Sequence, residues 1–169
     1  MRGLALILAA SAALALGSPA LAQQPAAVPE KMPFDIPYGM PITMDVAKRA
    51  VEAAEADARK RGWKLAIAVV SPSGDLTYFL KMDNTQLASP TIAQNKARTA
   101  ARFRRPTQLF FDLYESGHPY PGTLDPTLTA SPGGIPIVVG GMIIGAIGCS
   151  GATGAQDAVV CKVGVDAVK

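Results

Sequence analysis

The sequence predicts an α+β domain in which helices cover a small antiparallel sheet. Two pairs of apolar segments are each joined by a short turn, which is typical of β-hairpins. Helical patterns precede, separate and follow these pairs, and no regular alternation of strand and helix appears. The domain is predicted to cover residues 42–169, a length that can bury one core without help from metal ions.

Residues 1–22 are predicted to be a signal peptide. A basic residue precedes an apolar run that ends at Leu16, and small residues lead to a cleavage site after Ala22. The run is shorter than the roughly 20 apolar residues of a membrane-spanning helix. We therefore expect a periplasmic or secreted mature form with no transmembrane segment. Residues 23–41, rich in proline and alanine, are predicted to be a flexible N-terminal arm.

The charge of the chain gives no reason to expect nucleic-acid binding. The formal net charge is only +3, and one of these positive charges, Arg2, is lost with the signal peptide. Basic and acidic residues are interleaved over most of the length, so we expect no nucleic-acid partner. With one histidine in the chain, a metal site built from several histidines is also excluded.

A helix and a hairpin are predicted at the start of the domain. Thr43 is a suitable N-cap, and alanines then recur at helical spacing until Gly62. The alanine-rich stripe would let this helix approach a sheet closely. The apolar runs 65–70 and 76–82 flank turn residues, and we interpret them as the first hairpin.

Two helices and a long loop are predicted next. Pro90 marks the start of the first helix, which ends before Pro106, and a short second helix then continues to Gly117. Residues 117–134 form a proline-rich loop, and loops of this length are usually functional or disordered.

A second hairpin and a final helix complete the pattern. Two glycines join residues 135–139 to residues 142–149, and they supply the positive φ values that a tight turn needs. Thr153 and Gln156 then fit a capping box that opens the last helix.

Three arginines form a candidate anion-binding surface, which we call the arginine face. Arg98 and Arg102 are one turn apart on the same helix, and Arg105 follows about a turn later. Guanidinium groups hold carboxylates through paired hydrogen bonds, so the arginine face could bind a carboxylate ligand. A solvated helix surface explains the same pattern equally well.

Two further features could carry chemistry. His118, beside Tyr120 in the long loop, could be a metal ligand or a general base, although a lone loop histidine more often has neither role. The glycine-rich turn into the last helix could present free N–H groups to an anion. Its candidate residues are Gly151, Thr153, Gly154 and Gln156. Alternatively, the glycines allow close packing while Thr153 caps the helix. The sequence supports no set of nucleophile, base and acid.

The two cysteines, Cys149 and Cys161, could form a disulfide or be buried separately. A strand that ends near Ser150 and a helix that returns past Cys161 can bring the two together, and an exported protein can keep such a bond. Neither cysteine belongs to a C-x-x-C pattern, which argues against attached c-type haem and against a thioredoxin-like redox site.

Three motifs occur in a fixed order along the domain. They are K-A-R-T-A at 96–100, G-G-I-P at 133–136 and S-G-A-T-G-A-Q-D at 150–157. Together they resemble the GlcG/HbpS-like family of haem-binding and glycolate-operon proteins, over nearly all of residues 42–169. The resemblance implies a profilin-like α+β domain, with about five antiparallel strands flanked by helices, that usually assembles into homo-oligomers.

The resemblance also implies a function. Secreted members of the family bind haem and can influence its breakdown, whereas cytoplasmic members accompany organic-acid pathways or cobalamin adenosyltransferases. The predicted export favours non-covalent haem binding, for storage, transport or sensing. Haem chemistry would then place propionates on the arginine face and the iron on His118 or Tyr120. The alternative is an accessory protein or enzyme that binds a small organic acid at the turn 151–156.

Overall fold

The structure, a computed structural model, describes residues 28–169. The predicted signal peptide and the first part of the predicted arm lie outside the described residues. Residues 32–169 belong to one compact unit. Its elements in chain order are α1 (Met44–Arg61), β1 (Ala66–Val70), β2 (Leu76–Lys81), α2 (Ser89–Arg102), α3 (Gln108–Glu115), a short 3-10 helix (Tyr120–Thr123), β3 (Gly134–Val139), β4 (Met142–Ser150) and α4 (Gly154–Asp166).

The strands form one antiparallel sheet in the order β2-β1-β4-β3. Each hairpin pairs its own two strands, and the hairpins meet where β1 pairs with β4, with Ala68 opposite Gly148. This arrangement confirms the predicted α+β class and the antiparallel sheet flanked by helices. The described residues contain four strands, where the family resemblance implied about five.

Residues 37–42 lie beside the beginning of β4, next to the sheet. Tyr38 forms a parallel bridge with Ile143. The N–H of Ile143 donates to the carbonyl oxygen of Pro37 at 2.8 Å. The N–H of Ile42 donates to the carbonyl oxygen of Ile144 at 2.7 Å. These are isolated bonds rather than a strand. The predicted extent of the arm stays a prediction.

Side chains alternate along each strand, so the sheet has two faces. Helices cover both of them. On one face, apolar residues of β1 and β4 pack against α4 and the alanine stripe of α1. On the other, alanines of the same strands pack against alanines of α2. Helix α2 lies so close to the sheet that a Cβ on Gly148 would collide with the carbonyl oxygen of Ala93. This close packing places Lys96 of α2 against the end of β4.

The predicted ends of α1 and the predicted start of α4 are also confirmed. The Oγ1 atom of Thr43 accepts a hydrogen bond from the N–H of Val46, and Gly62 ends α1 with a φ of 71°. Thr153 and Gln156 form the predicted capping box at the start of α4.

Candidate functional site

An open groove lies between the N-terminal arm and α3, and we call it the α3 groove. Its volume is about 490 Å³. It is lined by Pro33, Phe34, Arg105, Leu109, Asp112, Leu113, Ser116 and Tyr120. Of the residues that α3 contributes, Asp112 and Leu113 follow Leu109 by three and four positions, so they lie on the same side of the helix as Leu109. Mostly apolar walls with a few polar groups are typical of small-molecule sites.

Arg105 is held against aromatic rings at this groove. Its guanidinium carbon is 3.7 Å from the ring centre of Phe34 and 5.4 Å from that of Phe110. Its Nε atom donates to the carbonyl oxygen of Phe103 at 3.0 Å. Burial lowers the pKa of Arg105, but an arginine begins so far above neutral pH that it stays cationic. Between residues 28 and 169, its two terminal nitrogens have no hydrogen-bond acceptor, so they can serve an anion in the groove.

The other two residues of the arginine face are directed elsewhere. The Nε atom of Arg98 donates to the carbonyl oxygen of Gly74 at 3.2 Å, and its terminal nitrogens donate to side chains of its own helix. Arg102 forms a 2.8 Å ion pair with Asp125. Of the three arginines, Arg105 is therefore the one that lines the α3 groove.

Tyr120 and His118 differ in their relation to the groove. Tyr120 lines it together with Arg105. His118 is exposed, and its Nδ1 atom lies 3.3 Å from the Oγ of Ser116, a residue of the groove wall. The structure thus brings Arg105 and Tyr120 to one groove and places His118 at its edge.

The glycine-rich turn before α4 uses its donors within the chain. The N–H of Ala152 donates to Oδ1 of Asp157 at 3.1 Å. Thr153 and Gln156 are occupied by the capping box. This geometry favours the interpretation that the turn serves close packing rather than ligand binding, because the anion at the start of α4 is the side chain of Asp157.

A buried ion pair, which the sequence reasoning missed, connects the three motifs. The Nζ of Lys96 lies 2.8 Å from Oδ2 of Asp157, and each side chain is only 2% exposed. The same Nζ donates to the carbonyl oxygens of Pro132 and Cys149, at 2.7 and 3.1 Å. Gly133 has no room for a Cβ beside the pair. Burial lowers the pKa of Lys96 and raises that of Asp157, while their mutual attraction opposes both shifts. Because solvent does not reach the pair, we assign it to holding α2, β4 and α4 together.

Cys149 and Cys161 are joined by a disulfide, with their Cα atoms 5.7 Å apart. Both residues are fully buried in the core between the sheet and α4. The bridge ties the end of β4 to the middle of α4, directly beside the ion pair of Lys96 and Asp157.

The fold and the groove define a class of protein: a small α+β domain with an open, mostly apolar site that contains a cation. None of the helices between residues 28 and 169 has both the length and the apolar character that crossing a bilayer requires. The chain belongs to the HbpS-like family, whose model, described as haem degrading protein HbpS-like, matches residues 42–166. This match confirms the resemblance that the motifs indicated.

Two relatives show how far the likeness extends. Protein GlcG of Escherichia coli K12 is 40% identical over 109 residues, which cover 64% of this chain and 81% of GlcG. An uncharacterised 15.0 kDa protein of the dhaT-dhaS intergenic region of Citrobacter freundii is 31% identical over 128 residues, which cover 74% of this chain and 90% of that protein.

Solved structures share the fold. A double mutant of HbpS from Streptomyces reticuli is 26% identical, has a TM-score of 0.72 and matches 86% of this chain and 99% of its own. PduOC, solved as a complex with haem, is 22% identical with a TM-score of 0.72, and the match covers 77% of this chain and 96% of PduOC. Klebsiella pneumoniae ORFY is 22% identical with a TM-score of 0.73, over 85% of this chain and 97% of ORFY.

Proposed function

We propose that this chain is an exported protein that binds haem without covalent attachment. The observation that carries the proposal is the α3 groove, which combines apolar walls with the cation of Arg105 and the phenol of Tyr120. Two comparisons support it: the family description names haem degradation, and PduOC, which has the same fold, forms a complex with haem.

The residues of the groove fit the chemistry of haem. The porphyrin faces are flat and apolar, and they suit the side chains of Phe34, Leu109 and Leu113. Propionates are carboxylates, which a guanidinium such as Arg105 binds through charge-assisted hydrogen bonds. Haem iron accepts a tyrosine oxygen as a ligand, and Tyr120 supplies one. When bound, haem would supply a redox-active iron, and the chain would bind and orient it.

Replacing Arg105 with alanine should weaken haemin binding by roughly 10- to 100-fold, because a hydrogen bond to a charged group contributes about 1.5–3 kcal/mol. The measurement is an absorption titration of the protein that begins at Gln23, followed at the Soret band. Arg49→Ala is the matched control, since Arg49 is an exposed arginine of α1 that does not line the groove. Equal affinity of Arg105→Ala and the wild-type protein would contradict the proposed site.

The iron ligand is tested by a second pair of variants. We propose Tyr120 rather than His118, because Tyr120 lines the groove and His118 lies at its edge. Tyr120→Phe should change the spectrum of the haemin complex, whereas His118→Ala should leave it unchanged. The reverse outcome would assign the iron to His118, and no change in either variant would exclude both residues.

We also propose that the protein stores, carries or senses haem outside the cytoplasm as a homo-oligomer. The predicted signal peptide, residues 1–22, supports export. The family resemblance supports assembly into homo-oligomers.

A second candidate function is the binding of a small organic acid. Arg102, whose side chain is 49% exposed, lines an open pocket of about 420 Å³ with Tyr38 and Ser73, and a carboxylate could bind there. The turn 151–156 is less suited, because the N–H of Ala152 already donates to Asp157 and Thr153 and Gln156 bond to each other in the capping box. Thermal-shift screening separates the two functions: stabilisation by short hydroxy or keto acids in haem-free protein would favour the acid.

A further inference from the structure

Two consecutive arginines, Arg104 and Arg105, contact segment 33–38 of the N-terminal arm at two separate places. The guanidinium carbon of Arg105 lies over the ring of Phe34 at 3.7 Å, and that of Arg104 lies over the ring of Tyr38 at 5.7 Å. Arg104 also donates to the carbonyl oxygen of Ile36 at 3.4 Å. Each arginine therefore combines with one aromatic residue of the arm.

The backbone conformation of Arg104 allows both arginines to contact the arm. Its φ is 56°, in the left-handed region that residues other than glycine rarely adopt. Such a conformation persists when the surrounding contacts hold it, and it is frequent at binding sites. Here this conformation follows the end of α2, and it lets the side chains of Arg104 and Arg105 extend to different residues of the arm.

Tyr38 fixes the arm at its other end. Its Oη atom lies 3.1 Å from the carbonyl oxygen of Ala101 and 2.9 Å from that of Arg102, at the C-terminal end of α2. The arm is thus anchored by its tyrosine, and Phe34 is held at the α3 groove.

We infer that segment 33–38 of the arm is part of the ligand site, where Phe34 selects flat aromatic anions. The contact with Phe34 holds the guanidinium of Arg105 at the groove, and between residues 28 and 169 its terminal nitrogens have no acceptor, so they remain available to an acid group. The aromatic ring itself offers a flat apolar surface beside that cation. A ligand with both a ring system and an acid group uses both features, whereas a short aliphatic acid uses only one. This inference rests on the α3 groove as the site of the proposed function, and it extends that function from haem to flat aromatic anions in general, with Phe34 as the residue that selects them.

The test compares Phe34→Ala with Phe111→Ala, a partly exposed phenylalanine of α3 that does not line the groove. Two probes are titrated into each protein: haemin, by absorption, and anilinonaphthalene sulfonate, by fluorescence. Phe34→Ala should bind both probes roughly tenfold more weakly, and Phe111→Ala should bind them as the wild-type protein does. Phe34→Leu keeps an apolar side chain in the arm without a ring, and it should also lose affinity.

The outcomes separate this inference from the haem proposal. If anilinonaphthalene sulfonate binds in a way that depends on Phe34 while haemin does not bind, the haem proposal fails and the role of Phe34 stands. If Phe34→Leu and Phe34→Ala bind both probes as tightly as the wild-type protein, the role of Phe34 is overturned even if haem binds. Failure of the wild-type protein to bind either probe would overturn both.

Discussion

Replacing Lys96 with methionine should lower the free energy of unfolding by about 3–5 kcal/mol, because Asp157 would be left as a buried carboxylate without its cation. Both side chains are 2% exposed, so water cannot take the place of the lost ammonium group. The change would also leave the carbonyl oxygens of Pro132 and Cys149 without the donor that they share. Urea denaturation followed by circular dichroism measures this loss.

Two further variants make the Lys96 experiment specific. Lys162→Met removes a lysine from an exposed pair with Asp166 and should leave the urea midpoint unchanged, because solvent screens such a pair. The double variant Lys96→Met/Asp157→Leu should be more stable than Lys96→Met alone, because it leaves no unpaired charge. A loss below about 1 kcal/mol in Lys96→Met would contradict the assignment of this pair as the tie between α2, β4 and α4.

Removing the bond between Cys149 and Cys161 should lower the free energy of unfolding by about 3 kcal/mol, as expected for a crosslink that closes a loop of this length. The two residues are 12 positions apart in sequence. The experiment compares the urea midpoint of the protein with and without a reducing agent. The variant Cys149→Ala/Cys161→Ala is the control, since its midpoint should not respond to the reducing agent. An unchanged midpoint in the reduced wild-type protein would show that the bond does not contribute.

Local features of the fold were predictable from the sequence because local chemistry determines them. Thr43 and Gly62 mark the ends of α1 by capping, and the paired glycines after β3 define the second hairpin. The isolated bonds of the arm beside β4 were not predictable, because Tyr38 and Ile143 are far apart in the chain and no periodic pattern links them.

The candidate site was only partly predictable, because a spacing does not show what each donor binds. Arg98, Arg102 and Arg105 share a helical spacing, but Arg98 bonds to Gly74 and Arg102 pairs with Asp125. Of the three, Arg105, which lies beyond the end of α2, is the one that lines the α3 groove. Phe34 was missed because it belongs to a proline-rich segment that reads as a flexible arm.

One feature of the sequence does indicate the buried pair of Lys96 and Asp157. Lys96 is next to Ala97 and follows Ala93 by three positions, so it interrupts the alanine surface that α2 turns to the sheet. A lysine at such a position requires a buried partner. The sequence alone could not identify that partner, since Asp157 is equally well explained by its place in the first turn of α4.

The most direct test of haem binding in the α3 groove is a haemin titration of the protein that begins at Gln23, purified from the extracytoplasmic fraction. We expect a shifted Soret band that saturates at one haemin per chain and is weakened in Arg105→Ala but not in Arg49→Ala. A wild-type protein whose Soret band neither shifts nor saturates would contradict the account.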